Sequence, residues 1–222
     1  MNPAIVPIAT LAASFLTLFG SAEWMYRKDM LQVEWSRKFV HIVTGLITLS
    51  FPILLSSHWQ VLLLCSSFGV ILIVSKKMDL LESINGIDRP SQGSILYPLA
   101  VYLSFIVFEE KGGLIWFYAP ILTMAICDPV AAWVGKKHPW RPYQVGNDSK
   151  TISGSSGFFV SAFLLLTGLF WGTSISLSLP IVVAAAGIAM VATLTEAISQ
   201  HGSDNIWIPL VVIISLQLLE IL

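Results

Sequence analysis

Long apolar runs separated by short polar intervals make up almost the whole chain. A helix needs about 20 mostly apolar residues to cross the hydrocarbon core of a bilayer. Such runs fall at 3–22, 39–57, 59–74, 94–108, 114–134, 157–171, 180–199 and 206–222. They predict an all-α, polytopic integral membrane bundle of about eight transmembrane helices, forming a single transmembrane domain over 1–222. The runs at 59–74, 94–108 and 157–171 are short, so those helices tilt little or begin within a loop. No basic residue precedes the first run, and it is long for the core of a cleaved leader. It is therefore read as a span, although Gly20-Ser21-Ala22 has the small-residue character of a cleavage site.

Composition agrees with the pattern. The chain is 55% hydrophobic and only 11% charged, where a soluble domain carries about 25% charged residues. Its mean hydropathy is +0.79. A surface so poor in charge must face lipid. The net charge of -1 implies no nucleic-acid partner. Cys65 and Cys127 lie inside apolar runs and read as small hydrophobes, not as a disulfide or a zinc site.

The basic residues set an orientation. Arg27, Lys28, Arg37 and Lys38 follow the first run. Lys76, Lys77 and Arg89 lie between the third and fourth, and Lys136, Lys137, Arg141 and Lys150 between the fifth and sixth. Only Lys111 falls on the other side. Basic loops stay cytoplasmic, so the N-terminus is expected outside, as is the C-terminus after eight spans. The outer intervals, 56–58, 109–113 and 172–179, are brief. The cytoplasmic intervals are longer and hold nearly every polar residue of interest.

Five polar clusters need a reason. In Cys127-Asp128-Pro129 a carboxylate sits near the end of an apolar helix, at a cost of about 2.5–3.5 kcal/mol on insertion scales. A cation, a metal or a water-filled cavity must offset it; the plain structural reading pairs it with a nearby lysine such as Lys136. Pro129 removes a helix hydrogen bond beside it. The segment 146–157, containing Lys150, Thr151, Ser153, Gly154 and Ser155, has a phosphate-binding composition ahead of a helix N-terminus. It is not a Walker A sequence, and an ordinary capped polar loop is the other reading. In 196–205, Glu196 emerges from an apolar helix, and Asp204 and Asn205 open the next. Asp204 alone reads as a cap. Oxygen ligands of this kind suit Mg²⁺, and Asp128, Glu196 and Asp204 can converge at one depth. Arg37, His41, Thr44 and Gly45 share a helix face. Arg37 and Lys38 also suit a topological anchor, while His41, a turn further in, can meet a phosphate or take a proton. Asp88 and Arg89 read equally as a capped turn with a local ion pair.

Taken in order, RKFVHIVTG (37–45), DRPSQGSILYPL (88–99), CDPVAAWVGKK (127–137), SKTISGSSGFF (149–159) and EAISQHGSDNIWIPL (196–210) resemble the membrane lipid-alcohol kinases. These are phytol kinase, dolichol kinase and the CTP-dependent diacylglycerol kinase. The resemblance implies a membrane lipid-alcohol substrate and a nucleoside triphosphate donor, usually CTP, carrying Mg²⁺. It implies nucleotide phosphates at Lys150, Thr151, Ser153, Gly154 and Ser155, with Arg37, Lys38 and His41 in the same pocket. Asp128, Glu196 and Asp204 fall around the metal or the reacting hydroxyl. Asp128, His41 and Lys150 become the catalytic candidates. Asn205, Asp88 and Arg89 fall beside the substrate or the groups that hold it. Two departures stand out. Ser153 replaces an acid common in the family, and Lys136-Lys137-His138-Pro139-Trp140 replaces a Gly-rich turn.

Phosphoryl transfer is mostly positioning and electrostatics, which suits these residue types. A CTP:phosphatidate cytidylyltransferase is the alternative that also uses CTP at an acidic membrane site. Its basic-then-acidic signature is missing, since 199–205 contains no Lys or Arg. A small-solute transporter predicts repeat symmetry and midplane polar residues, whereas the polar clusters here sit at one face.

Overall fold

The computed structural model describes residues 5–87, 91–172 and 178–221. Asp88 and Arg89 lie outside the described residues. Among the described residues, seven helices are long and apolar enough to cross a membrane: Ile5–Arg27, Val33–Leu54, His58–Lys77, Gly93–Lys111, Ile115–Lys137, Ile152–Gly172 and Leu179–Ile198. A further apolar helix, Asp204–Ile221, follows. The expected helical bundle is therefore present. The three spans expected to be short gain their length from flanking polar residues, which the hydrophobic pattern cannot assign.

In chain order the elements are α1 (Ile5–Arg27), α2 (Val33–Thr48), α3 (Phe51–Leu54), α4 (His58–Lys77), α5 (Glu82–Asn85), α6 (Gly93–Lys111) and α7 (Ile115–Leu122). A π-helical turn, Thr123–Cys127, joins α7 to α8 (Asp128–Lys137). Then come β1 (Pro142–Val145), β2 (Asp148–Thr151), α9 (Ile152–Gly172), α10 (Leu179–Ile198) and α11 (Asp204–Ile221). The α7–α8 span is the central one. In its most apolar stretch 61% of residues are buried, against 22–33% in the other long spans. Around it α9 packs on α8 and α10, α11 packs on α6, α7 and α10, and α1 packs on α2. Large apolar side chains such as Leu63, Val70, Leu164 and Met190 point outward, as lipid requires.

The interval before α9 contains a feature not expected from the spans. β1 and β2 form an antiparallel hairpin with Val145 opposite Asp148. Its two-residue turn is Gly146-Asn147, and Gly146 has φ +56°, the glycine-favoured conformation of such turns. α9 begins at Ile152, not at 157. Thr151 caps it, its Oγ1 accepting the Gly154 N–H at 3.0 Å. The segment expected to be a phosphate-binding loop is thus a strand running into a capped helical turn.

Candidate active site

The sequence clusters meet at one end of the bundle, where α2, α6, α9 and α11 begin and α8 and α10 end. Lys76, Lys77, Lys136 and Lys137 close helices at this end, whereas Lys111 closes α6 at the other. A cavity of about 450 Å³ opens here. Its polar part is lined by Arg37, Lys38 and His41 from α2 and by Asp128. Lys150, Thr151, Gly154 and Ser155 line it from the hairpin and α9, and Glu196, Asp204 and Asn205 from α10 and α11. Ser153 does not line it. Its hydroxyl donates to the His138 carbonyl and accepts the Trp140 N–H at 3.3 Å. The two departures from the family pattern therefore touch each other.

Two lysine–carboxylate pairs hold the polar part. Lys38 Nζ lies 2.6 Å from Asp128 Oδ2. Lys136, weighed above as the partner of Asp128, instead sits over the Trp35 ring at 5.5 Å. Lys150 Nζ donates to Glu196 Oε1 at 2.7 Å and to the Glu196 main-chain carbonyl. Glu196 Oε2 is buried with no hydrogen-bond partner. Asp204 caps its own helix through the Asn205 N–H, 3.0 Å from Oδ1, and still faces the cavity. Among the described residues, no three His, Cys, Asp or Glu side chains gather as a preformed metal cage. Asp128, Glu196 and Asp204 share the cavity without converging on one point.

The π turn aims Asp128. In a π turn each carbonyl takes the N–H five residues on. Five beyond Met124 is Pro129, which has no N–H. His41 Nε2 meets the Met124 carbonyl instead, at 3.1 Å, so Nε2 carries the proton. It stands 3.9 Å from Asp128 Oδ2. Tyr97 braces the same histidine. Its hydroxyl donates to the His41 carbonyl at 3.1 Å, and its ring stands edge-on to the imidazole with centroids 4.9 Å apart. At Gly45 an added Cβ would lie 2.3 Å from Ala125 Cβ. Only glycine lets α2 run this close to the π turn.

The loop between α10 and α11 closes over the start of α6. Gln92 N–H donates to the His201 carbonyl at 2.8 Å, and His201 N–H donates to Asp148 Oδ2 at 2.9 Å. Gly202, at φ +80°, would place a Cβ 2.6 Å from Gly93 N. Arg37 Nη2 and Lys76 Nζ both donate to Ser91, at 3.0 and 2.7 Å.

Some contributors escaped the sequence reading. Tyr97 lies in a quoted segment but reads there as one more aromatic near a span end. Phe15, Phe19, Leu64 and Phe68, from α1 and α4, line the apolar part of the same cavity. Only their helical spacing, shared with every core residue, signals them.

Two curated proteins are similar to the chain. Phytol kinase of Synechocystis sp. is 29% identical over 213 residues, covering 94% of this chain and 91% of that protein. Probable phytol kinase 1, chloroplastic, of Glycine max is 30% identical over 220 residues, covering 83% of this chain and 66% of that protein. No family model matches the chain, and no solved structure matches it. Five motifs in family order and a relative aligned along nearly the whole length agree with the helical architecture, and the chain belongs to the phytol kinase family, membrane kinases that transfer phosphate to an alcohol.

Proposed function

We propose that the protein transfers the terminal phosphate of CTP to the hydroxyl of a long-chain isoprenoid alcohol, such as phytol or geranylgeraniol, at the cytoplasmic membrane face. The observation that carries this reading is the continuity of one cavity. Its polar end holds Asp128, Glu196, Asp204, Lys38, Lys150 and Arg37 among other charged residues, and its other end is walled by apolar rings. An alcohol with a long tail and a reactive head needs both. The names of the curated relatives point to phytol. CTP is the donor that the motif resemblance implies. The cytoplasmic face follows from the lysines and arginines gathered at the site's end of the bundle.

The alcohol oxygen attacks the γ-phosphorus. An O–P bond forms to the lipid, the bond to the β,γ-bridging oxygen breaks, and a nucleoside diphosphate leaves. Asp128 takes the alcohol's proton. His41, whose Nε2–H serves the Met124 carbonyl, positions Asp128. Lys38 and Lys150 rest on carboxylates and swing to the phosphate oxygens, where cations absorb the charge of the transition state. Thr151, Gly154 and Ser155 line the same space where α9 opens, a position that suits phosphate. Glu196 and Asp204 offer the hard oxygen ligands of a nucleotide-borne Mg²⁺, and the unpartnered Glu196 Oε2 fits that use. Mg²⁺ binds through one or two carboxylates plus substrate phosphates and water, so no protein cage is needed. Held there, such an ion would offset the negative charge of the phosphates.

Lys150→Met tests the assignment. Loss of one such charge lowers kcat by about 10²–10³-fold, with the protein still folded by thermal melting. A Lys150→Met enzyme within twofold of wild type would remove Lys150 from the reaction.

A further inference from the structure

Beyond the reacting groups, the cavity runs on between α1, α2, α4 and α6. Arg37, His41, Thr44 and Thr48, at i, i+4, i+7 and i+11, line it down one face of α2. At 1.5 Å per residue that stripe is about 16 Å long. Polarity falls along it, from guanidinium to imidazole to threonine. Opposite stand Leu64, Cys65 and Phe68 of α4 and Val101 of α6. At the far end Phe15 meets Phe51 edge-on, with centroids 6.2 Å apart and planes at 90°, and Phe68 packs on Phe15 at 5.0 Å.

These walls belong to the protein interior. Phe51 is 1% exposed, Val101 2%, Leu64 3% and Phe15 5%. Protein interiors pack about as densely as organic crystals. The cavity therefore narrows and closes toward these residues, and it joins a charged site to an apolar end that suits an apolar chain. A tail left in the bilayer would need no such channel. The occupant must be apolar and elongated, and its polar end must reach Asp128.

We infer that this arm is the tail subsite for the acceptor alcohol, that it admits a single isoprenoid chain, and that the Phe15–Phe51 pair sets its length. The inference rests on the kinase reading and narrows it. One chain of limited length enters, a diacylglycerol with two chains does not, and a dolichol-length chain overruns the aromatic stop.

Cys65 gives a readout independent of activity. It is half-buried in the arm wall, whereas Cys127 is fully buried. N-ethylmaleimide should modify Cys65 in the purified, detergent-solubilised protein, counted by intact mass. Saturating phytol is expected to slow that modification at least fivefold, and an equal concentration of diacylglycerol is not. In parallel, kcat/KM is measured for farnesol, geranylgeraniol and a longer polyprenol, each longer than the last. Cys65→Trp fills the arm and should lower the geranylgeraniol-to-farnesol ratio by about tenfold or more, the scale of methylene discrimination in apolar pockets. Phe51→Ala opens the stop and should raise the polyprenol-to-geranylgeraniol ratio. If wild type phosphorylates phytol while phytol leaves Cys65 labelling unchanged and neither variant moves its ratio, the arm is not the tail subsite and the kinase reading stands. Equal protection by diacylglycerol overturns the single-chain claim. Failure to phosphorylate any alcohol overturns the kinase reading and this inference with it.

Discussion

Lys38 and Asp128 lie 90 residues apart in sequence and 2.6 Å apart in the fold. A pair so enclosed does little for stability, because desolvating two charges offsets most of their attraction. Its value lies in what it holds ready for a ligand. Lys38→Met strands the carboxylate and should destabilise the protein by about 3 kcal/mol, the low end for a broken buried pair, since the cavity admits water. Lys38→Met with Asp128→Leu should recover most of that stability in thermal melts, yet no activity. Recovery of activity in the double variant would show the pair to be structural. Asp128→Asn alone should cost about 10²–10⁴-fold in kcat, the range for a lost general base. The acids themselves were legible in the sequence, because a carboxylate inside an apolar helix is costly enough to demand a reason. Their partners were not, since Lys38 and Lys150 reach Asp128 and Glu196 only across the folded bundle. Ser153 was misleading for a similar reason. α9 starts at Ile152, and that start turns the Ser153 hydroxyl toward the 138–140 turn and away from the cavity.

The central element is a helix deliberately broken. Pro129 denies a donor to the π turn, His41 replaces it, and Asp128 follows directly at the start of α8. Pro98 and Pro209 act similarly, removing the helical donors for the carbonyls of Ser94 and Asn205, two cavity-lining residues. If His41 acts through the Met124 carbonyl, the donor matters more than the ring. His41→Gln, whose amide can donate, should keep at least tenfold more activity than His41→Leu, with KM for CTP similar in both. Equal loss in both variants would point to imidazole chemistry. The sequence placed Pro129 beside the acid but did not show a π turn, because nothing in the local pattern separates a 3.6-residue helix from a widened one. The hairpin was better signalled. Gly146-Asn147 is a recognised two-residue turn, but its polar strands lack the alternation that marks a strand, and the glycines and serines around it favoured a loop reading.

Across the whole molecule, the helical architecture and the number of apolar runs were legible because lipid imposes them on composition. The shape of the cavity was not. It depends on which faces of α1, α2, α4 and α6 meet, and α1 contributes Phe15 and Phe19 from a run with no polar mark. The result is a bundle with most of its charge at one end and an apolar interior leading from it. The proposed metal assignment belongs to this scale, because Glu196 and Asp204 come from different helices and, under that proposal, a nucleotide would complete the site. Excess EDTA should abolish transfer, and added Mg²⁺ should restore it without altering the melting temperature of the nucleotide-free protein. Undiminished transfer in EDTA would remove the ion from the account.

The most direct test of the central claim is phosphate transfer by the purified protein in detergent, with γ-labelled CTP, Mg²⁺ and phytol, following label into the organic phase. Labelled phytyl monophosphate, lost in Asp128→Asn and Lys150→Met, is the predicted result. A folded wild-type protein that labels no lipid alcohol with any nucleoside triphosphate would contradict it.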